Sequence, residues 1–204
     1  MSIPSFIKYQ LYSSENDETK CNFISSRGLL KSSDIHQNRP KSSTNSLVET
    51  SKKDLKNSRS IYVNTHALNK FNSELLPKIS SPFILITGDS VKGVNPDEIG
   101  PETINSILTN PLLTTWFAQN LYPQHEKQQH MPLGLDYHTR AKKLYHRWGS
   151  FQTPVQQERE LISIARNAKP MDQKARKAYC NWHFAMSRGT RQECLERIEH
   201  DVAF

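Results

Sequence analysis

Three cysteines in 204 residues, Cys21, Cys180 and Cys194, are too few and too far apart for a disulfide framework. Their odd number points to a reducing compartment. Long hydrophobic runs are also missing, and no stretch approaches the roughly 18 uninterrupted apolar residues of a membrane helix. The segment Met1 to Leu11 carries Lys8 in its middle and has neither a long apolar run nor a small-residue cleavage site. No secretory signal is read there, and a soluble, cytoplasmic chain with no membrane partner is expected. Glycine is scarce, and neither G-x-G-x-x-G nor G-x-x-x-x-G-K-[ST] occurs, so both standard phosphate cradles are missing. A G-x-S-x-G elbow is absent too, which removes support for a serine hydrolase. His125, His130, His138 and His146 lack zinc spacing, and the Cys180-x-x-His183 pair has no second pair in range. No metal and no cofactor is therefore expected in this chain.

What is present is basic and polar. Lys and Arg number 27 against 20 Asp and Glu, a net charge of +7, and the apolar share is 35%. The excess is spread along the chain. Its densest run is Arg140, Lys142, Lys143, His146 and Arg147, which reads as a solvated face more readily than as a phosphate-holding patch. Trp116, Phe117 and Trp182 lie in apolar contexts that look like core, so a nucleic-acid partner is disfavoured.

Along the chain, residues 1–59 form a serine-rich and lysine-rich arm. Fourteen of the first sixty residues are serine, and composition alone reads the arm as extended. Three apolar islands, Phe6 to Tyr12, Phe23-Ile24 and Leu29-Leu30, are the points that could pin it. A domain follows over residues 60–204. Ser60 to Val63 reads as a strand, and Leu68, Phe71, Leu75 and Leu76 stand at helical spacing ended by Pro77. Pro82 to Thr87 is the strongest strand, and its continuous apolar run predicts cover on both faces. Pro101 to Leu108 reads as a helix, Thr115 to Ala118 and His130 to Leu133 as strands, and Pro154 to Ala168 as a helix. Ala178 to Phe184 reads as a fifth strand and Gln192 to His200 as a closing helix. Alternation of this kind predicts an α/β domain with a mostly parallel, Rossmann-like sheet and flanking helices.

In open sheets of this class ligands bind beyond the carboxyl ends of the strands. Each predicted strand is followed by small or hydrogen-bonding residues: Asn64, Thr65 and His66; Gly88, Asp89 and Ser90; Gln119 and Asn120; Gly134 to Thr139. Such residues are ordinary in turns, and each alone is explained that way. Four in succession point to one polar site. Its candidate binding residues are His66, Gly88, Asp89, Gln119, Asn120 and Gly134. Asp136 and His138, two apart on an extended segment, would share a face as a catalytic pair, where a carboxylate could orient an imidazole and His138 or Asp136 act as general base. The competing reading has Asp136 cap a turn and His138 stand exposed before the basic run.

Four stretches carry a family resemblance: Ser25-Ser26-Arg27-Gly28-Leu29-Leu30-Lys31, Pro82 through Ser90, Trp116-Phe117-Ala118-Gln119-Asn120 and Pro132 through Thr139. Together with Glu158 and Tyr179 through Phe184, they resemble exostosin-type glycosyltransferase-like proteins. The resemblance implies that the arm folds onto the domain, and that the chain is the acceptor-side lobe of a two-lobed glycosyltransferase. It further implies a glycan acceptor and a nucleotide-sugar donor held by a C-terminal lobe that lies beyond Phe204. Val91 departs from the pattern, which expects an acidic residue just after Ser90. Three readings stand: a glycosyltransferase-like lobe that is inactive by itself, a non-catalytic glycan-binding or protein-binding module, and a basic nucleic-acid-binding protein.

Overall fold

The computed structural model describes residues 18, 20–37, 40–123, 125–142, 145–175 and 190–200. They fall into two compact units, Met1–Ile162 and Ser163–Phe204. Four strands, β1 (Ser60–Asn64), β2 (Phe83–Gly88), β3 (Leu113–Ala118) and β4 (Gln128–His130), build one sheet in the first unit. Their order is β1-β2-β3-β4 and every neighbouring pair is parallel. The unit is thus a Rossmann-like α/β arrangement, a parallel sheet flanked by helices. A short antiparallel pair, β5 (Tyr145–His146) with β6 (Gly149–Ser150), lies apart from it.

Crossovers between parallel strands are right-handed, so an order that advances one way places successive connections on the same side. The helical turns of Thr65–Lys78 and the helix Pro101–Leu108 are those connections, and Ser106 Oγ donates to Asn72 Oδ1 between them at 2.8 Å. Beneath them Ile61, Val63, Phe83, Leu85, Trp116 and Ala118 are all buried. Trp116 Nε1 donates to Thr87 Oγ1 at 3.0 Å, so the indole N–H is satisfied inside the core. The rings of Phe71 and Phe83 meet edge to face at 6.4 Å.

Alternation sends the other side chains of β2 to the opposite face. There Ile84 and Ile86 are only half-buried, as are Thr115 and Phe117 in register beside them. The expected continuous burial of β2 is therefore corrected: one face is sealed and the other is partly open. The physical reason is the one-directional strand order, which stacks the connecting helices on a single side.

Other boundaries also move. Pro77 stands inside the last turn, Leu76–Lys78, where its missing N–H costs no hydrogen bond, and does not end the preceding one. The fourth strand lies at Gln128–His130, because Met131 N donates the last rung to Ala118 O at 2.9 Å and Pro132 has no N–H to offer. The expected strand over Ala178 to Phe184, with Cys180 and His183, lies outside the described residues.

The described part of the arm belongs to the first unit. Ser25 caps the helix Ser26–Lys31 by accepting from Gly28 N, and Ser51 and Asp54 form a reciprocal capping box at Lys52–Asn57. Ile35 bridges to Ile61 on the free edge of β1, with Tyr62 N donating to Ile35 O at 2.8 Å. Leu30, Ile35 and Leu55 are buried, whereas the Phe23-Ile24 island is 46% and 54% exposed. It is the backbone there that is tied: Glu158 accepts from Asn22 N at 2.6 Å and from Phe23 N at 2.7 Å. In the second unit the helix Thr190–His200 carries an exposed Arg197–Glu193 pair at 2.7 Å. Among the described residues no helix is long and apolar enough to cross a membrane.

Candidate functional site

The carboxyl ends of β1, β2 and β3 carry a two-layered polar cluster. The lower layer is buried around Arg27, Asn64, Asp89 and Gln119, with Ser42 at its exposed rim. Asp89 follows β2 with φ of 52°, a left-handed conformation that Asp and Asn adopt more readily than most residues. Its carboxylate meets Arg27 Nη2 at 3.1 Å, with side chains 3% and 6% exposed. Ser42 Oγ donates to Asp89 Oδ1 at 2.7 Å, and Asn64 Nδ2 donates to the Asp89 carbonyl at 2.9 Å. Arg27 Nη1 donates to the Pro40 carbonyl. One arginine from the arm helix therefore joins the loop at residues 40–42 to the end of the central strand.

Gln119 works the other side. Its Oε1 accepts from Asp89 N at 2.9 Å, and its Nε2 donates to Leu133 O at 3.0 Å. Gly88 makes room for it, since a Cβ there would stand 2.4 Å from that oxygen and 2.9 Å from the Tyr62 hydroxyl. Gly134 has φ of 73°, and a Cβ there would meet the Ser25 backbone at 2.8 Å. Ser25 and Leu135 form a parallel bridge at that point. Burial, then the Asp89 charge, pushes the Tyr62 phenol well above its ordinary pKa, while Arg27 opposes. It stays neutral. The enclosed cavity beside Tyr62, Asn64 and Asp89 measures about 10 Å³, too small for anything larger than a water molecule.

The upper layer reaches solvent. His66 Nδ1 and Ser90 Oγ are 2.6 Å apart, and Asn120 Nδ2 donates to the Ser90 carbonyl at 3.1 Å. Asn64 Oδ1 accepts from His66 N at 3.1 Å and so fixes the turn that presents the ring. Burial, then the Lys92 charge, lowers the His66 pKa, with Glu98 opposing. Val91 and Tyr122 stand beside this layer in sequence and are 79% and 63% exposed.

Of the sequence-selected residues, His66 and Asn120 thus meet through Ser90, while Gly88, Asp89 and Gln119 lie in the linked buried layer and Gly134 stands half-buried at its margin. Asp136 and His138 are in contact, Oδ1 to Nδ1 at 2.9 Å, but they do not share an extended face. Asp136 begins the helix His138–Lys142, its carboxylate accepting from Thr139 N at 3.0 Å and from Thr139 Oγ1 at 2.6 Å. Partial burial pushes the Asp136 carboxyl up, but the hydrogen bonds from His138 and Thr139 outweigh it and hold the group well below the usual carboxylate range. Among the described residues no hydrogen bond or ion pair joins this pair to His66, Ser90 or Asn120.

Arg27 and Ser42 were missed as members of the cluster, and Asn64, although named at the end of the first strand, was not among the candidate binding residues. The one signal for Arg27 in the sequence is its place beside Leu29-Leu30 in a serine-rich stretch, a charge where an apolar pin was expected. Among the described residues no three His, Cys, Asp or Glu side chains gather as a metal site would. No protein-family model, no curated protein and no solved structure matches the chain.

Proposed function

We propose that this chain is a glycosyltransferase-like lobe that offers the carboxyl edge of its sheet to an acceptor sugar. One observation carries the reading. The four stretches on which the exostosin-type resemblance rests lie far apart in the sequence, yet they are joined here by direct contacts. Arg27 of the first meets Asp89 of the second, Gln119 of the third accepts from Asp89 N and donates to Leu133 O of the fourth, and Gly134 closes on Ser25. A cluster assembled from four segments shapes one place on the molecule. The side chains it leaves at the surface are an imidazole, a hydroxyl and an amide, which suit the paired donors and acceptors of sugar hydroxyls. Exposed Tyr122 adds an aromatic face of the kind that packs against a sugar ring.

In this reading a nucleotide sugar is the donor, held by a second lobe. The commitment of Asp136 to Thr139 and His138 favours a structural role for that corner over a catalytic one. Saturation-transfer NMR of the chain with a panel of methyl glycosides tests the proposal. Binding that is lost in Asn120→Ala and weakened in Tyr122→Ala, with unchanged melting, is the expected result. A panel with no binder overturns the reading.

A further inference from the structure

We propose that His66 Nε2 is the proton acceptor for a ligand hydroxyl at this edge, a role that rests on the acceptor-sugar reading and replaces the Asp136–His138 pair in it. The ring is held from several sides. Its backbone N–H is bound by Asn64, whose own amide is anchored on the buried Asp89 carbonyl. Nδ1 is fixed by Ser90 Oγ, and that oxygen also accepts from Lys92 N at 2.9 Å. The Ser90 carbonyl is in turn held by Asn120. Three strand ends therefore position one imidazole, while Nε2 has no hydrogen-bond partner among the described residues.

A hydroxyl oxygen has two lone pairs. At Ser90 one takes the Lys92 N–H, and the proposed role has the other take Nδ1–H of His66. In that tautomer the Nε2 lone pair is free on a half-buried ring. The charged groups around it are Lys92 and Glu98 from the connection after β2, with Asn64 on its own segment and Asn120 from the end of β3 neutral. Burial and Lys92 together keep the imidazole unprotonated at neutral pH, as a base must be.

The step balances with a nucleotide sugar as co-reactant. The acceptor O–H bond breaks and its proton goes to Nε2, while the acceptor oxygen bonds to the anomeric carbon. The glycosyl–phosphate C–O bond breaks, and its electron pair leaves on the nucleotide phosphate. A base of this kind contributes roughly 10²–10⁴-fold to such a step.

The test uses the chain as it stands and 2,3-epoxypropyl glycosides, which alkylate an unprotonated nitrogen brought to them by sugar binding. Peptide mass spectrometry should place the adduct on His66, competed by the matching methyl glycoside. Its rate should fall about tenfold per pH unit once the pH is below the His66 pKa, which lies under the ordinary histidine value. Ser90→Ala should slow labelling several-fold at saturating glycoside, where a change in affinity drops out, and His66→Gln should abolish it. Glycoside binding with no adduct on His66, or an unchanged rate in Ser90→Ala, overturns this inference alone. No glycoside binding by saturation transfer overturns the acceptor-sugar reading and this inference with it.

Discussion

Two acid–base pairs of almost the same length sit in different surroundings. Arg27 and Asp89 meet at 3.1 Å with side chains 3% and 6% exposed, and His138 and Asp136 meet at 2.9 Å with 16% and 59%. Distance does not separate them, but burial does. A buried pair has given up hydration on both partners, so removing one leaves a charge with nothing to replace it. An exposed pair is screened by water, and its members lose little when parted. The first pair fastens the arm to the sheet. The second starts a five-residue helix. Chemical suitability for catalysis, on which the sequence singles out Asp136 and His138, is a poor guide to which pair the fold depends on.

The largest effect expected from this contrast is Arg27→Met, which strands the Asp89 carboxylate and should cost about 3–5 kcal/mol in urea unfolding. Adding Asp89→Asn should restore much of that loss, because the stranded charge is gone and asparagine still adopts the left-handed turn. If the single variant costs under about 1 kcal/mol, the pair is hydrated and the contrast fails. Gly134→Ala comes next. It asks alanine to adopt a φ of 73° and to press on the Ser25 backbone, at about 2 kcal/mol by thermal melting. An unchanged melting temperature would mean that the Ser25–Leu135 bridge is dispensable. Asp136→Ala should lose the helix-start bonds to Thr139 and the exposed contact with His138, about 1 kcal/mol in all, and Asp136→Asn less, since an amide oxygen still accepts from Thr139 N.

The smallest effect is in pH. The Asp136 carboxyl is held below its ordinary value of 3.8, so its contribution is fully present above that value. It disappears as the pH falls through the lower, folded-state value, where the carboxylate finally protonates. The stability gap between wild type and Asp136→Asn should therefore be constant above about pH 5 and close below the ordinary value. A gap that widens on acidification would reverse the assigned sign.

Much of the first unit is legible in its local patterns. Pro101–Leu108 matches its apolar spacing end to end, because a proline at its first position and Ile104, Ile107 and Leu108 on one face are local signals. The β1, β2 and β3 segments are found within a few residues for the same reason. The helical run over Thr65–Lys78 is found in outline, but its changes of turn geometry are not, since they depend on how Leu68, Phe71, Leu75 and Leu76 settle into the core. The half-open face of β2 escapes notice because Ile84 and Ile86 are as apolar as their sealed neighbours. Which face is covered depends on where the connections run. In the candidate site, His66, Asp89, Gln119 and Asn120 can be found from the residue types at the carboxyl end of each strand. Ser90 as the partner of His66, and Arg27 as the partner of Asp89, cannot be found that way.

By itself the sequence determined the first three strands, the helix Pro101–Leu108 and the polar residues that stand at the strand ends, because propensity, capping and periodicity act over a few residues. The tertiary structure alone decided that Arg27 would reach Asp89, that Gln119 would span from Asp89 to Leu133, and that His66 would be aimed by Ser90. Those contacts depend on strand order, on the left-handed turn at Asp89 and on the space left by Gly88, and each exists only once the parallel sheet has set distant segments side by side.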